Sequence, residues 1–206
     1  MSDDAYRTVE GPGRSAIEIR DSEFLCYARP VRSVEAAEAF IEEITGTYAD
    51  ATHVVPAYRV RVGDGSTGGS RLREYADDDG EPAGSAGKPA LNVLVGRDIE
   101  NVATAVVRYY GGTNLGVGGL ASAYSRAVKT AVDDAGVGER TPHEEMQVTV
   151  GYDDSGTVRG IIESAGVEFE ADYQERVTFE VLVPRASAEN FRDRLRSATS
   201  GRARIE

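Results

Sequence analysis

A chain of 206 residues is long enough for one large domain or two small ones, and an apolar content of 40% is enough to build a core. A formal net charge of −12 excludes a protein that binds nucleic acid with its whole surface. Thirty-five acidic residues stand against 21 arginines and only two lysines, Lys88 and Lys129, the composition of a surface adapted to concentrated salt. Salt screens repulsion among those carboxylates. The thermal midpoint is therefore expected to rise from dilute buffer to molar potassium chloride, and a flat or falling series of melts would contradict the adaptation. Cys26 is the only cysteine, so no intramolecular disulfide forms. No basic, apolar leader opens the chain and no run approaches the ~18–20 apolar residues of a membrane span. The expectation is a soluble, cytoplasmic protein.

Residues 1–14, polar and carrying Gly11, Pro12 and Gly13, predict a loose segment. Residues 15–20 alternate as a half-buried strand does, and 23–30 give a second strand-like run. Ser33 is a good N-cap for a helix whose Val34, Ala37, Ile41 and Ile44 recur at helical spacing, with Gly46 placed to end it. Residues 53–62 read as a strand. Residues 63–84 read as a long polar segment, of a length that is functional or disordered inside a compact domain. A helix is expected over 85–96, with Pro89 tolerated near its first turn. Residues 101–110 are apolar on both faces, the mark of a central strand. From Gly119 on, Leu120, Tyr124, Val128, Ala131 and Val132 fall on one helical stripe. The polar, glycine-bearing stretch 133–142 reads as a linker between a domain at 15–135 and a domain at 143–206. The second domain shows a strand at 146–152, a helix at 155–164, strands at 167–173 and 176–184, a helix at 186–197 and a last strand at 203–205. That β-α-β-β-α-β order is the split βαβ, or ferredoxin-like, pattern, and it makes the chain α+β.

Chemistry concentrates where the central strand of the first domain hands over to its helix. Five glycines, Gly111, Gly112, Gly116, Gly118 and Gly119, fall within nine positions there. Glycine permits positive φ and close backbone approach. The helix N-terminus behind such a loop offers unpaired N–H groups to an anion, and a plain tight turn packed on the sheet gives the same local pattern. The loop matches neither the dinucleotide nor the phosphate-loop glycine spacing. Arg108, at the end of an apolar strand, is either an ion-pair partner for Asp79 or Glu81 or, with Lys88, Asn114 and the loop N–H groups, part of an anion cleft. Ser85 reads as an N-cap, and Lys88 is misplaced beside a helix N-terminus unless an anion joins it. Tyr109 and Tyr110 offer rings to a base or a peptide side chain.

The run Asp77-Asp78-Asp79-Gly80-Glu81 lacks the spacing of a calcium loop and reads as a solvated acidic turn. His53 and His143, the only histidines, show no zinc spacing. Cys26 lies in an apolar run and reads as a buried, inert thiol. No nucleophile elbow is present. Arg192, Arg194, Arg196, Arg202 and Arg204 make the densest basic stretch. Such cations suit a helix C-terminus, and Arg192, Arg196, Arg202 and Arg204 are the candidates for RNA phosphate.

Three motifs in order resemble the signature of the IMPACT/YigZ family. They are Ala51-Thr52-His53 followed by Ala57-Tyr58-Arg59; Asp78-Asp79-Gly80-Glu81-Pro82-x-Gly84-Ser85-Ala86-Gly87-x-Pro89; and Arg108-Tyr109-Tyr110-Gly111-Gly112-x-x-Leu115-Gly116-x-Gly118-Gly119-Leu120-x-x-Ala123-Tyr124. The resemblance runs from about Glu23 to the C-terminus. It implies a two-domain, non-secreted protein of translation control rather than a well-defined enzyme. The first domain would resemble the β-α-β fold of a small-subunit ribosomal protein and of the second domain of translational GTPases. The second would resemble the fifth domain of elongation factor G. In eukaryotic members the domain goes with binding a co-activator of a stress kinase that acts on initiation, whereas the microbial members have no settled biochemical activity.

The candidate binding surface is Asp79, Glu81, Ser85, Lys88, Arg108, Tyr109, Tyr110, Gly111, Gly112, Asn114 and Gly116. The expected partner is a translation-associated protein, the ribosome or RNA, with a small anion in the cleft and no membrane, cofactor, metal or catalytic residue. The alternative is an enzyme that holds a nucleotide or phosphorylated metabolite in the glycine-rich cleft. Two departures weigh against direct nucleic-acid binding by the first domain. Ser122-Ala123-Tyr124 stands where relatives often have Arg-Ala-Tyr, and Val54-Val55-Pro56 is more apolar than the family pattern.

Overall fold

Residues 5–63 and 71–206 are described by a computed structural model, which divides into two units, Tyr6–Glu139 and Arg140–Glu206. The first unit runs β1 (Tyr6–Val9), β2 (Gly13–Ile19), β3 (Ser22–Pro30), α1 (Val34–Thr47), β4 (His53–Val62), β5 (Arg71–Ala76), α2 (Gly87–Gly96), β6 (Val102–Tyr109), α3 (Gly116–Ala135) and β7 (Val137–Arg140), whose last residue crosses the boundary. Its main sheet has the order β2-β3-β6-β4-β5, every neighbour antiparallel. β6 is the middle strand, and its continuous apolar run is buried on both faces, as a central strand requires. On one face Ala37, Phe40 and Ile44 of α1 cover Tyr58, Val60, Ala103, Ala105 and Val107. On the other, Leu94 of α2 and Leu120, Tyr124 and Val128 of α3 pack on Phe24, Cys26, Val55 and Val106.

The second unit runs β8 (His143–Val150), α4 (Tyr152–Ala165), β9 (Glu168–Tyr173), β10 (Val177–Pro184), a 3-10 turn, α5 (Ala188–Ala198) and β11 (Arg204–Ile205). The strand order β11-β8-β10-β9 is antiparallel throughout, the ferredoxin-like arrangement expected from the element order. Both helices lie on one face, where Val158, Ile162, Phe191 and Leu195 meet Met146, Val148, Phe179 and Val181. This unit has a core of its own. A fragment of residues 143–206 is therefore expected to unfold cooperatively in urea at molar salt; a gradual, non-cooperative loss of circular dichroism would sink its autonomy.

Four sequence expectations change. The segment before residue 15 is not loose from Tyr6 on. β1 pairs with β7, and Gly13 lies so close to α3 that a Cβ would strike the Ala131 carbonyl. α1 runs past Gly46 to Thr47, because no positive φ occurs at that glycine. The expected loop 63–84 contains β5; its residues 64–70 lie outside the described residues. Of the expected linker 133–142, residues up to Ala135 belong to α3 and Val137–Arg140 form β7.

Candidate functional site

The acidic run that the sequence reads as a solvated turn is used residue by residue. Asp77 Oδ1 accepts from the Asp79 N–H at 2.7 Å. Asp78 caps α2: its Oδ1 accepts from Ala86 N (3.0 Å) and Gly87 N (2.8 Å), and its Oδ2 from Gly84 N (2.6 Å). Asp79 Oδ2 accepts from Val54 N at 2.6 Å, and its carbonyl takes the Nδ1–H of His53 at 2.6 Å. Glu81 turns inward. Ser85 is thus not the N-cap: its side chain is fully buried, its Oγ has no hydrogen-bond partner among the described residues, and Asp78 does the capping. The anion that would reconcile Lys88 with a helix N-terminus is Asp78, and it belongs to the chain itself.

Burial works against the Asp78 charge, but the N–H donors of Gly84, Gly87 and Ala86 outweigh it and hold the carboxyl below its usual range. A carboxyl depressed in the folded state adds stability above its unfolded value, near pH 4, and loses it as pH falls through the folded value. Acid titration below about pH 4 should therefore cost wild type more stability than Asp78→Asn. Equal acid limbs in pH-dependent melts would contradict the cap. At neutral pH, Asp78→Ala should cost about 1–2 kcal/mol, as N-cap losses do.

Beneath this loop lies a buried charge cluster. Arg108 Nη1 donates to Glu81 Oε1 at 2.5 Å, and Tyr124 Oη donates to the same oxygen at 2.7 Å. The side chains of Arg108 and Glu81 are 5% and 4% exposed. Burial, then the bond to Glu81, pushes the Tyr124 phenol far up, so it stays a proton donor. Arg108 Nη2 reaches Ser22 Oγ at 3.5 Å, which also accepts from Gly111 N at 3.1 Å. The guanidinium carbon lies 5.4 Å from the Phe24 ring centroid and 5.3 Å from that of Tyr110. With Nδ1 bonded to the Asp79 carbonyl, His53 turns its Nε2 toward Glu81 Oε2 at 3.9 Å.

Arg108 is therefore the ion-pair partner of Glu81 and not an exposed cation in a cleft, because a guanidinium this deep needs a neutralising carboxylate. Among the residues proposed from the sequence, the structure joins Asp79 to His53, and Glu81 to Arg108; Tyr110 covers Arg108 and donates to Asn114 Oδ1 at 3.0 Å. Tyr109 turns to Asp50 at 2.9 Å. Gly111 abuts the Asp21 carbonyl, and Gly112 and Gly116 take φ of +89° and +71°. Lys88 is exposed on the first turn of α2. Tyr124, Ser22, Asp78 and His53 were missed as site residues. Tyr124 lay in an apolar stripe, where its hydroxyl was the one signal of a buried polar partner.

Above the cluster, α3 begins without a side-chain cap and without an acidic residue in its first turn. Val117 (58%) and Tyr110 (43%) are exposed beside it, as are Gly112, Asn114 and Gly118. Beside Gly111, Arg20 and Asp21 form a two-residue hairpin turn with φ of +48° and +64°. Cys26 is fully buried and burial pushes its thiol up, which fits an inert core residue.

The basic stretch of the second unit is not a free cationic patch. Arg192 pairs with Glu144 and Glu189, Arg196 with Glu189 and Asp193, Arg202 with Asp154, and Arg204 with Glu206. An RNA phosphate there would have to compete with those carboxylates.

The family model for the Impact N-terminal domain matches residues 20–132, and a domain of unknown function (DUF1949) matches 148–202. The IMPACT family member YvyE of Bacillus subtilis is 33% identical over 203 residues, covering 98% of this chain and 90% of that protein. The IMPACT family member YigZ of Escherichia coli is 34% identical over 185 residues, covering 89% and 88%. A crystal structure of a hypothetical protein superposes with a TM-score of 0.66 at 30% identity, covering 98% of this chain and 96% of the other.

Proposed function

Because this chain belongs to the IMPACT family, we propose that it acts by binding in the regulation of translation, with the glycine loop and the first turn of α3 as its contact surface. Family membership supports the translational setting. One observation carries the location: a bare helix N-terminus, with Tyr110 and Val117 exposed beside it, stands on a buried Glu81–Arg108–Tyr124 support. The support fixes the loop from below, and the loop contributes N–H groups and rigid apolar surface. Uncapped first-turn N–H groups suit a partner's carboxylate or phosphate, so the partner is a translation-associated protein or ribosomal RNA.

The test is recovery from native lysate at working salt, with and without RNase, using wild type and Val117→Glu. A glutamate in the first turn suits the helix dipole and leaves stability intact, but it fills the proposed anion position. Loss of ribosomal or protein recovery by a variant that melts normally supports the surface. Undiminished recovery removes it. RNase sensitivity separates RNA from protein contact, and a co-purifying nucleotide with neither partner would favour the enzymatic alternative.

A further inference from the structure

β5 is the edge of the five-stranded sheet: β4 pairs along one side for six residues, and among the described residues no strand lies on the other. The register tells which backbone groups are free. Asp77 N donates to the Pro56 carbonyl at 3.3 Å, one step beyond the Ala57–Ala76 pair. In an antiparallel ladder, hydrogen-bonded and non-bonded pairs alternate. Tyr75, Arg73 and Arg71 therefore point N–H and C=O at β4, whereas Ala76, Glu74 and Leu72 point theirs outward. The edge offers three donors and three acceptors, repeated every ~6.8 Å, twice the residue rise of an extended strand.

The side chains give the edge a character. Arg71, Arg73 and Tyr75 stand opposite Val62, Val60 and Tyr58, on the face that α1 covers at its centre. All three are exposed, and Tyr75 stacks on Tyr58 with centroids 5.2 Å apart. Neither Arg71 nor Arg73 has a carboxylate within ion-pair distance among the described residues, unlike the arginines of α5 and β11 discussed above. Two guanidiniums spaced two residues apart match alternate side chains of a second strand.

We propose that β5 is a docking edge for an extended acidic peptide segment of a partner protein, added as a sixth strand. Its carboxylates, two residues apart, would meet Arg71 and Arg73, and an apolar side chain would meet Tyr75. A second copy of the chain fits worse. Antiparallel self-pairing centred on Arg73 opposes two guanidiniums, and pairing centred on Glu74 opposes two carboxylates. A single-stranded RNA could use the two charges and the ring, but it leaves the outward N–H and C=O row unused. The proposal concerns a surface separate from the glycine loop and stands whether or not that loop binds.

The probe is a fluorescein-labelled nine-residue peptide alternating valine and glutamate, with a valine–lysine peptide and an oligouridylate of similar length as comparisons. Fluorescence anisotropy on the full chain is read for wild type, Leu72→Pro and the double variant R71E/R73E. Leu72→Pro removes an outward N–H and leaves the β4 ladder intact. Wild type is expected to bind the glutamate peptide at least tenfold more tightly than either variant does, and R71E/R73E to prefer the lysine peptide. Backbone amide exchange on wild type, free and peptide-bound, is the second reading and does not depend on the variants folding. Protection gained at Leu72, Glu74 and Ala76 supports strand addition. The proposal is overturned by no binding, by equal binding of folded Leu72→Pro, by tighter binding of the oligouridylate, or by protection gained only elsewhere.

Discussion

Glu81→Ala is expected to destabilise the first unit by about 3–5 kcal/mol, the usual cost of removing one member of a buried ion pair. A domain holds only about 5–15 kcal/mol in all, so this change uses much of the margin. The loss comes from what remains: an Arg108 guanidinium 5% exposed, with only Ser22 at 3.5 Å and two aromatic rings around it. Its Nε already lacks a partner among the described residues. Tyr124 loses its acceptor as well. Adding Arg108→Met to Glu81→Ala should recover a large part of the loss, because two apolar groups leave no uncompensated charge. Urea unfolding of wild type, single and double variants decides. A double variant no better than Glu81→Ala would mean that packing, not charge, was lost.

Gly111→Ala should be more damaging than Gly112→Ala, although Gly112 has the more unusual backbone. At Gly111 a Cβ would fall on the Asp21 carbonyl, a backbone group in a turn that has no slack. Relieving that overlap costs at least the ~1–3 kcal/mol of a forced overpacking, and it lifts the loop off Ser22. At Gly112 the φ of +89° strains alanine, but nothing lies within 4 Å of the new atom, so the cost is about 1–2 kcal/mol. Thermal midpoints give the order, and the reverse order would refute the close approach. Partner recovery should fall with Gly111→Ala even at temperatures where the variant is folded.

The elements legible in the sequence were those whose burial pattern is local. β6 could be read because all but its last residue are buried, and the second unit because its elements follow one another in ferredoxin-like order. β1 could not: four residues pairing with four others at the far end of the unit carry no periodicity. The site was half legible. The motifs put Glu81 and Arg108 together, and one reading of Arg108 was the partner it has. Three adjacent aspartates cannot be told apart by composition, however. Their roles are set by which backbone N–H each meets, and those belong to Val54, Asp79, Gly84, Ala86 and Gly87. The basic C-terminal stretch misled for the same reason. Arginine density is visible in a sequence, but the carboxylates that answer it, Glu144 and Asp154 among them, come from β8 and α4.

The pairing of β1 with β7 has a consequence during synthesis. The first strand leaves the ribosome without its mate, which lies about 130 residues later. At typical elongation rates that wait lasts roughly 7–26 s. Until Ile99 and Glu100 are made, which bridge to Arg7, Tyr6–Val9 is a bare strand on a growing chain, and until β7 follows its paired edge stays open. The nascent unit can assemble β2, β3, β4 and β6, but the seam that joins its two ends closes only after α3 has been made.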